Sequence, residues 1–100
     1  MMVEINNDNF KSEVLDQGLV LVDFNADWCG PCQMLKPVLE EINNERNTKI
    51  VSVNVDDNME LAREYGIMTI PCLILFKDGK EYKRSVGLKS KDDIISMMEE

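Results

Sequence analysis

Apolar positions along this chain fall into two rhythms that alternate. Leu19-Val20-Leu21-Val22, followed by Asp23 and Phe24, is apolar on both alternations, which predicts a strand buried on both faces of a parallel sheet. Upstream, Phe10, Val14 and Leu15 share one side of a helix for which Asp8 is the expected N-cap and Gly18 the expected stop. Downstream, Met34, Leu35, Val38, Leu39 and Ile42 recur at spacings of three and four, the mark of an amphipathic helix. Pro37 lies inside that helix and, lacking a backbone donor, is expected to kink it. Ile50-Val51-Ser52-Val53-Asn54-Val55 reads as the next strand, Asn58 to Tyr65 as a short helix closed by Gly66, and Cys72 to Phe76 as another apolar strand after Ile70-Pro71. Asp78-Gly79 signals a hairpin, and Ser90 caps a last helix with Asp92 and Asp93 in its first turn and Ile94, Ile95 and Met98 as its apolar stripe. The implied order, βαβαβα and then ββα, belongs to an α/β protein whose central mixed sheet is covered by helices on both faces.

One hundred residues without repeat, linker or low-complexity stretch suit a single domain over 1–100. A net charge of -8 with no basic cluster excludes a phosphate backbone and an anionic lipid surface as partners. The N-terminus has neither the basic nor the apolar region of a secretion signal, and no apolar run approaches the roughly 18 residues of a membrane span. A cytoplasmic location is expected. In that reducing compartment three cysteines do not make a structural disulfide framework. The methionines read as core filler and the acidic residues as a solvated face.

The chemistry concentrates in Trp28-Cys29-Gly30-Pro31-Cys32, at a strand-to-helix junction. Two thiols separated by two residues can close a small disulfide ring and reopen it. Cys29 falls just before the first helical turn, where unpaired N–H groups and the helix dipole favour a thiolate. The same spacing can be half of a zinc site, but the chain has no histidine and only Cys72 besides the pair, so no metal is expected. Asp23 is an acid within an apolar strand, where desolvation raises its pKa; it either has a catalytic role or is a buried acid held by hydrogen bonds. Cys72 is either a small buried apolar group or a third thiol near the pair, open to modification.

With these residues in this order, including Val20-Leu21-Val22-Asp23-Phe24 before WCGPC and Ile70-Pro71 after it, the chain resembles the thioredoxin family over essentially its whole length. The resemblance implies a thioredoxin fold of about five strands flanked by about four helices. It implies a protein disulfide reductase working through a reversible Cys29-Cys32 disulfide, with no bound cofactor. By the same resemblance Cys29 is the nucleophile, Cys32 the more buried resolving cysteine, Asp23 the proton acceptor and donor, and Pro71 a cis-proline facing the site. Gly30 and Pro31 support the pair and offer no charge that would make it oxidising. Trp28, Gly30, Pro31, Ile70, Val86 and Gly87 would form the docking surface around Cys29, though Val86 reads equally well as an ordinary strand residue.

Three positions depart from the commonest family pattern: Asn25 for an aromatic residue, Ser52 for a lysine near the acid, and Cys72 for threonine. Loss of the lysine is expected to leave the Asp23 pKa higher still. The implied partners are a thioredoxin reductase and oxidised proteins such as ribonucleotide reductase, peroxiredoxin or methionine sulfoxide reductase, met by a monomer. The alternatives are a thioredoxin-fold binding subunit of a larger assembly, or a disulfide isomerase or oxidase.

Overall fold

The predicted apolar strand, β2 (Leu19–Asn25), is the middle of a five-stranded sheet. Its neighbours are β3 (Lys49–Asn54), which runs parallel to it, and β4 (Cys72–Lys77), which runs antiparallel. β1 (Val3–Ile5) lies parallel beyond β3, and β5 (Lys80–Val86) antiparallel beyond β4, so the sheet is mixed as expected. The computed structural model describes residues 2–99; Met1 and Glu100, which the single-domain reading includes, lie outside the described residues. Helices α1 (Gly30–Glu45), α2 (Met59–Glu64) and α3 (Lys91–Glu99), with a π-helical turn at Lys11–Leu15, complete the chain.

Strand alternation divides the core into two. On one face Val20, Val22 and Phe24 of β2, Val51 and Val53 of β3, and Cys72, Ile74 and Phe76 of β4 pack with Phe10, Val14 and Leu61. On the other, Leu21, Ile50, Leu73 and Leu75 pack under Leu35, Leu39 and Ile42 of α1 and Ile94 and Met98 of α3. Asp23, two residues from Leu21, therefore lies on the α1 face, and Cys72 on the opposite one.

Several local expectations change. Asp8 caps no N–H group among the described residues, and the chain turns earlier, where Asn6 Oδ1 accepts the N–H groups of Asp8 (2.9 Å) and Asn9 (3.1 Å). The following turn is widened by an Asp16 N–H to Lys11 carbonyl bond and ends at Leu15, before Gly18. That turn seats Phe10 within 5.6 Å of the Phe76 ring. Helix α1 continues through Pro37 to Glu45. The hairpin is as read, with Asp78 and Gly79 at φ 52° and 83°, the left-handed pair of a type I′ turn. Ser90 Oγ caps α3 by accepting the Asp93 N–H. The methionines are not uniformly core: Met2 and Met98 are buried, but Met34, Met59 and Met68 are exposed, because they occupy the solvent sides of helices and a loop.

Candidate active site

The β2 chain leaves the sheet at Asn25 and turns through Ala26-Asp27-Trp28 into α1, whose N-cap is Cys29. The turn is held by the Cys29 N–H on the Ala26 carbonyl (3.3 Å) and by Gln33 Nε2 on the same oxygen (3.2 Å). Gly30 and Pro31 form the first helical turn, where a missing N–H removes no helical bond. Cys29 and Cys32 are joined as a disulfide, their Cα atoms 5.2 Å apart. Cys29 Sγ also accepts the Cys32 N–H at 3.2 Å, so the helix terminus points a donor at this sulfur. The expected contrast in exposure is slight in the disulfide form, 4 % for Cys29 and 2 % for Cys32, because the closed ring packs against Ala26, Val55 and Ile70. What distinguishes the two sulfurs is place: one caps the helix and the other is inside its first turn.

Beneath α1, Asp23 is 1 % exposed. Burial pushes its carboxyl from 3.8 up to about 6, while a hydrogen bond from Asn25 and the charge of Lys36 on α1 act in the opposite direction. Asn25 Nδ2 reaches Asp23 Oδ2 at 3.1 Å and Ser52 Oγ at 2.7 Å. The two departures flagged from the sequence thus meet each other and the acid. In place of a lysine, the acid has a neutral amide beside it and a more distant ammonium.

The rim comes from three other segments. The Ile70-Pro71 bond is cis, and the Ile70 carbonyl oxygen lies 3.9 Å from Cys29 Sγ. The Gly87 N–H donates to the Pro71 carbonyl at 2.8 Å, and Val86 opposes Cys72 in the β4–β5 ladder with its side chain exposed. Gly30 and Pro31 are exposed at the head of α1. Trp28 is 72 % exposed and its indole N–H donates to Asp56 Oδ2 at 2.8 Å. Asp56 in this role, Gln33 as a staple and Asn25 as a partner of the acid were not read from sequence. Only Asn25 carried a signal, since i+2 spacing on a strand puts it on the same face as Asp23.

Cys72 is 1 % exposed in the opposite core layer, opposite Phe24 in the sheet, and burial raises its thiol pKa. Among the described residues no group of three or more Cys, Asp or Glu side chains is placed to hold a metal ion.

A family model described as Thioredoxin matches residues 1–100. A thioredoxin of Chlamydia caviae is 50% identical over 99 residues, covering 98% of this chain and 96% of the relative. One of Bacillus subtilis is 43% identical over 99 residues, covering 97% and 94%. Among solved structures, a mutant thioredoxin from Halobacterium salinarum superposes with a TM-score of 0.90 at 38% identity, covering 97% of this chain and 87% of that one.

Proposed function

The chain belongs to the thioredoxin family and is a protein disulfide reductase, a thiol–disulfide oxidoreductase, and we propose that Cys29 is its nucleophile, Cys32 its resolving thiol and Asp23 its proton carrier. The observation that supports the assignment best is the Cys32 N–H aimed at Cys29 Sγ from the end of α1. In the reduced protein that donor and the helix dipole favour the Cys29 thiolate. It attacks one sulfur of a target disulfide, forming a mixed disulfide and expelling the other target sulfur as a thiolate. Cys32 then gives its proton to the Asp23 carboxylate and attacks Cys29 Sγ. The Cys29-Cys32 bond forms, the bond to the target breaks, and the departing thiolate takes up a proton. The target has gained two electrons and the pair has lost two. A carboxyl with a pKa of about 6 suits both halves of the proton exchange near neutrality.

Around this chemistry, Ile70, Pro71, Gly87, Val86, Trp28, Gly30 and Pro31 make the surface on which an extended target segment docks beside Cys29. Family membership implies redox partners, a thioredoxin reductase and oxidised protein substrates. More finely, we assign ribonucleotide reductase, peroxiredoxins and methionine sulfoxide reductases as targets of a monomer that works as one domain over 1–100 and carries no bound cofactor. No helix among the described residues is long and apolar enough to cross a membrane. The working location we assign is the cytoplasm.

Insulin reduction driven by dithiothreitol tests the roles. Cys29→Ser should abolish turnover, whereas Cys32→Ser should lose turnover and accumulate a covalent complex with the target through Cys29. Faster alkylation of Cys32 than of Cys29 by iodoacetamide in the reduced native protein would reverse the assignment.

A further inference from the structure

The two carboxylate oxygens of Asp23 are in different situations. Oδ2 receives the Asn25 amide at 3.1 Å, whereas Oδ1 is buried without a hydrogen-bond partner among the described residues. The Asn25 amide has two hydrogens to place. One goes to Ser52 Oγ at 2.7 Å, and the other is shared between Asp23 Oδ2 and the Asp23 carbonyl, both at 3.1 Å. All three side chains are 4 % exposed or less, so water competes little for these bonds. Register makes the cluster: Asp23 pairs with Ser52 across β2 and β3, and Asn25 follows on the same face.

Resting on Asp23 as the proton carrier, we propose that Asn25, seated by Ser52, is a positioning residue that occupies Oδ2 and leaves Oδ1 as the oxygen that takes the proton from Cys32. A buried carboxylate with one oxygen already satisfied has its remaining acceptor capacity directed to one place. In the step itself the Cys32 Sγ–H bond breaks and its proton forms a bond to Asp23 Oδ1. The Cys32 thiolate joins Cys29 Sγ, and the target sulfur leaves with the electron pair of the broken S–S bond. The Asn25 donor also favours the ionised acid, so the amide lowers the pH at which Asp23 is ready to accept.

The other charged and titrating groups around Asp23 are few. From α1 comes Lys36, which favours the carboxylate. From β4 comes Cys72, whose thiol is raised in part by the Asp23 charge. From β3 the facing residue is the neutral Ser52, while Lys49 is turned to Glu13 at 2.7 Å.

The test uses the full chain with Asn25→Leu, which keeps the shape and removes the donor, and the milder Ser52→Ala. Two readouts are followed: the Asp23 midpoint by carboxyl NMR, and the pH profile of mixed-disulfide resolution in single turnovers with insulin. Asn25→Leu should move both upward by about one pH unit or more, the size expected for a lost hydrogen bond to a buried charge. Ser52→Ala should move both the same way by less, and in an Asp23→Asn background neither substitution should move the profile. If Asp23→Asn slows resolution but the Asp23 midpoint stays put in Asn25→Leu, the Asn25 role is overturned and Asp23 stands. If Asp23→Asn leaves the resolution rate unchanged, the proton-carrier reading fails and this one with it. Should Asn25→Leu fail to fold, an unmoved midpoint in Ser52→Ala overturns the seating of the amide.

Discussion

Asp23→Asn should make the protein more stable and a worse catalyst at the same time. The substitution keeps the side-chain shape and removes a charge that is 1 % exposed. Desolvation by burial is the main reason the native carboxyl is raised from 3.8 to about 6, with the Asn25 hydrogen bond and the Lys36 charge pulling it partway back. A folded pKa above the unfolded one means that the native state binds the proton more tightly. Stability from this group is therefore complete below pH 3.8, falls as pH rises from there to about 6, and stays low above. The whole displacement corresponds to about 3 kcal/mol, of which roughly 2.5 kcal/mol is lost between pH 4 and pH 8.

The measurement is urea unfolding of the oxidised parent and of Asp23→Asn from pH 4 to pH 8. Other groups titrate over that range, but they cancel in the difference between the two proteins. That difference should grow in favour of the variant by roughly 2.5 kcal/mol. Resolution of the mixed disulfide should meanwhile slow, as the proposed proton-carrier role of Asp23 requires. A stability difference that stays constant within about 1 kcal/mol across the range would refute the desolvation argument.

Three further outcomes follow from the geometry. Trp28 adjoins Cys29 and is tied to Asp56, so its emission intensity should change when dithiothreitol opens the disulfide; an unchanged spectrum at complete thiol titration would show that the ring does not sense the pair. Cys72→Thr should leave insulin reduction within about twofold and stability within about 1 kcal/mol, and Cys72 in the native protein should resist glutathione disulfide; a stable Cys72 adduct by mass spectrometry would contradict its burial. Gly79→Ala should destabilise by about 2 kcal/mol or more, because φ is 83° and the new Cβ would lie 2.7 Å from the Leu15 carbonyl oxygen; a melting temperature equal to the parent's would show that the hairpin yields.

What could be read from the sequence was whatever is local or periodic. The β2 run, the Leu35, Leu39 and Ile42 stripe of α1, the Asp78-Gly79 turn and the Ser90 cap each signal themselves within a few residues, and each is present. The Asp8 cap failed because the turn starts earlier, at Asn6, whose Oδ1 takes the Asp8 and Asn9 N–H groups, while the helical turn itself begins only after Phe10. Exposed Met34, Met59 and Met68 were misread because hydropathy alone does not say which side of a helix or loop faces solvent. Asn25 and Ser52 were visible as departures, but their contact depends on strand register across 27 residues, and no local pattern reports that. Asp56 gave no signal, since one exposed acid among many looks the same until Trp28 is seen beside it.

Register also decides which face of the sheet the third thiol occupies. Phe24 and Asp23 are consecutive, so they face opposite sides of the sheet, and Cys72 pairs with Phe24 while Leu73 pairs with Asp23. A shift of one residue in the β2–β4 pairing would carry the Cys72 thiol to the α1 face, the face on which Asp23 lies. The observed pairing instead packs Cys72 among Phe24, Ile74 and Phe76, where desolvation favours the protonated thiol. The apolar alternation of β4, with Leu73 and Leu75 under α1 and α3, holds that register. Core packing thus decides where the third thiol goes: the burial of Leu73 and Leu75 under the helices is what places Cys72 in the opposite core layer.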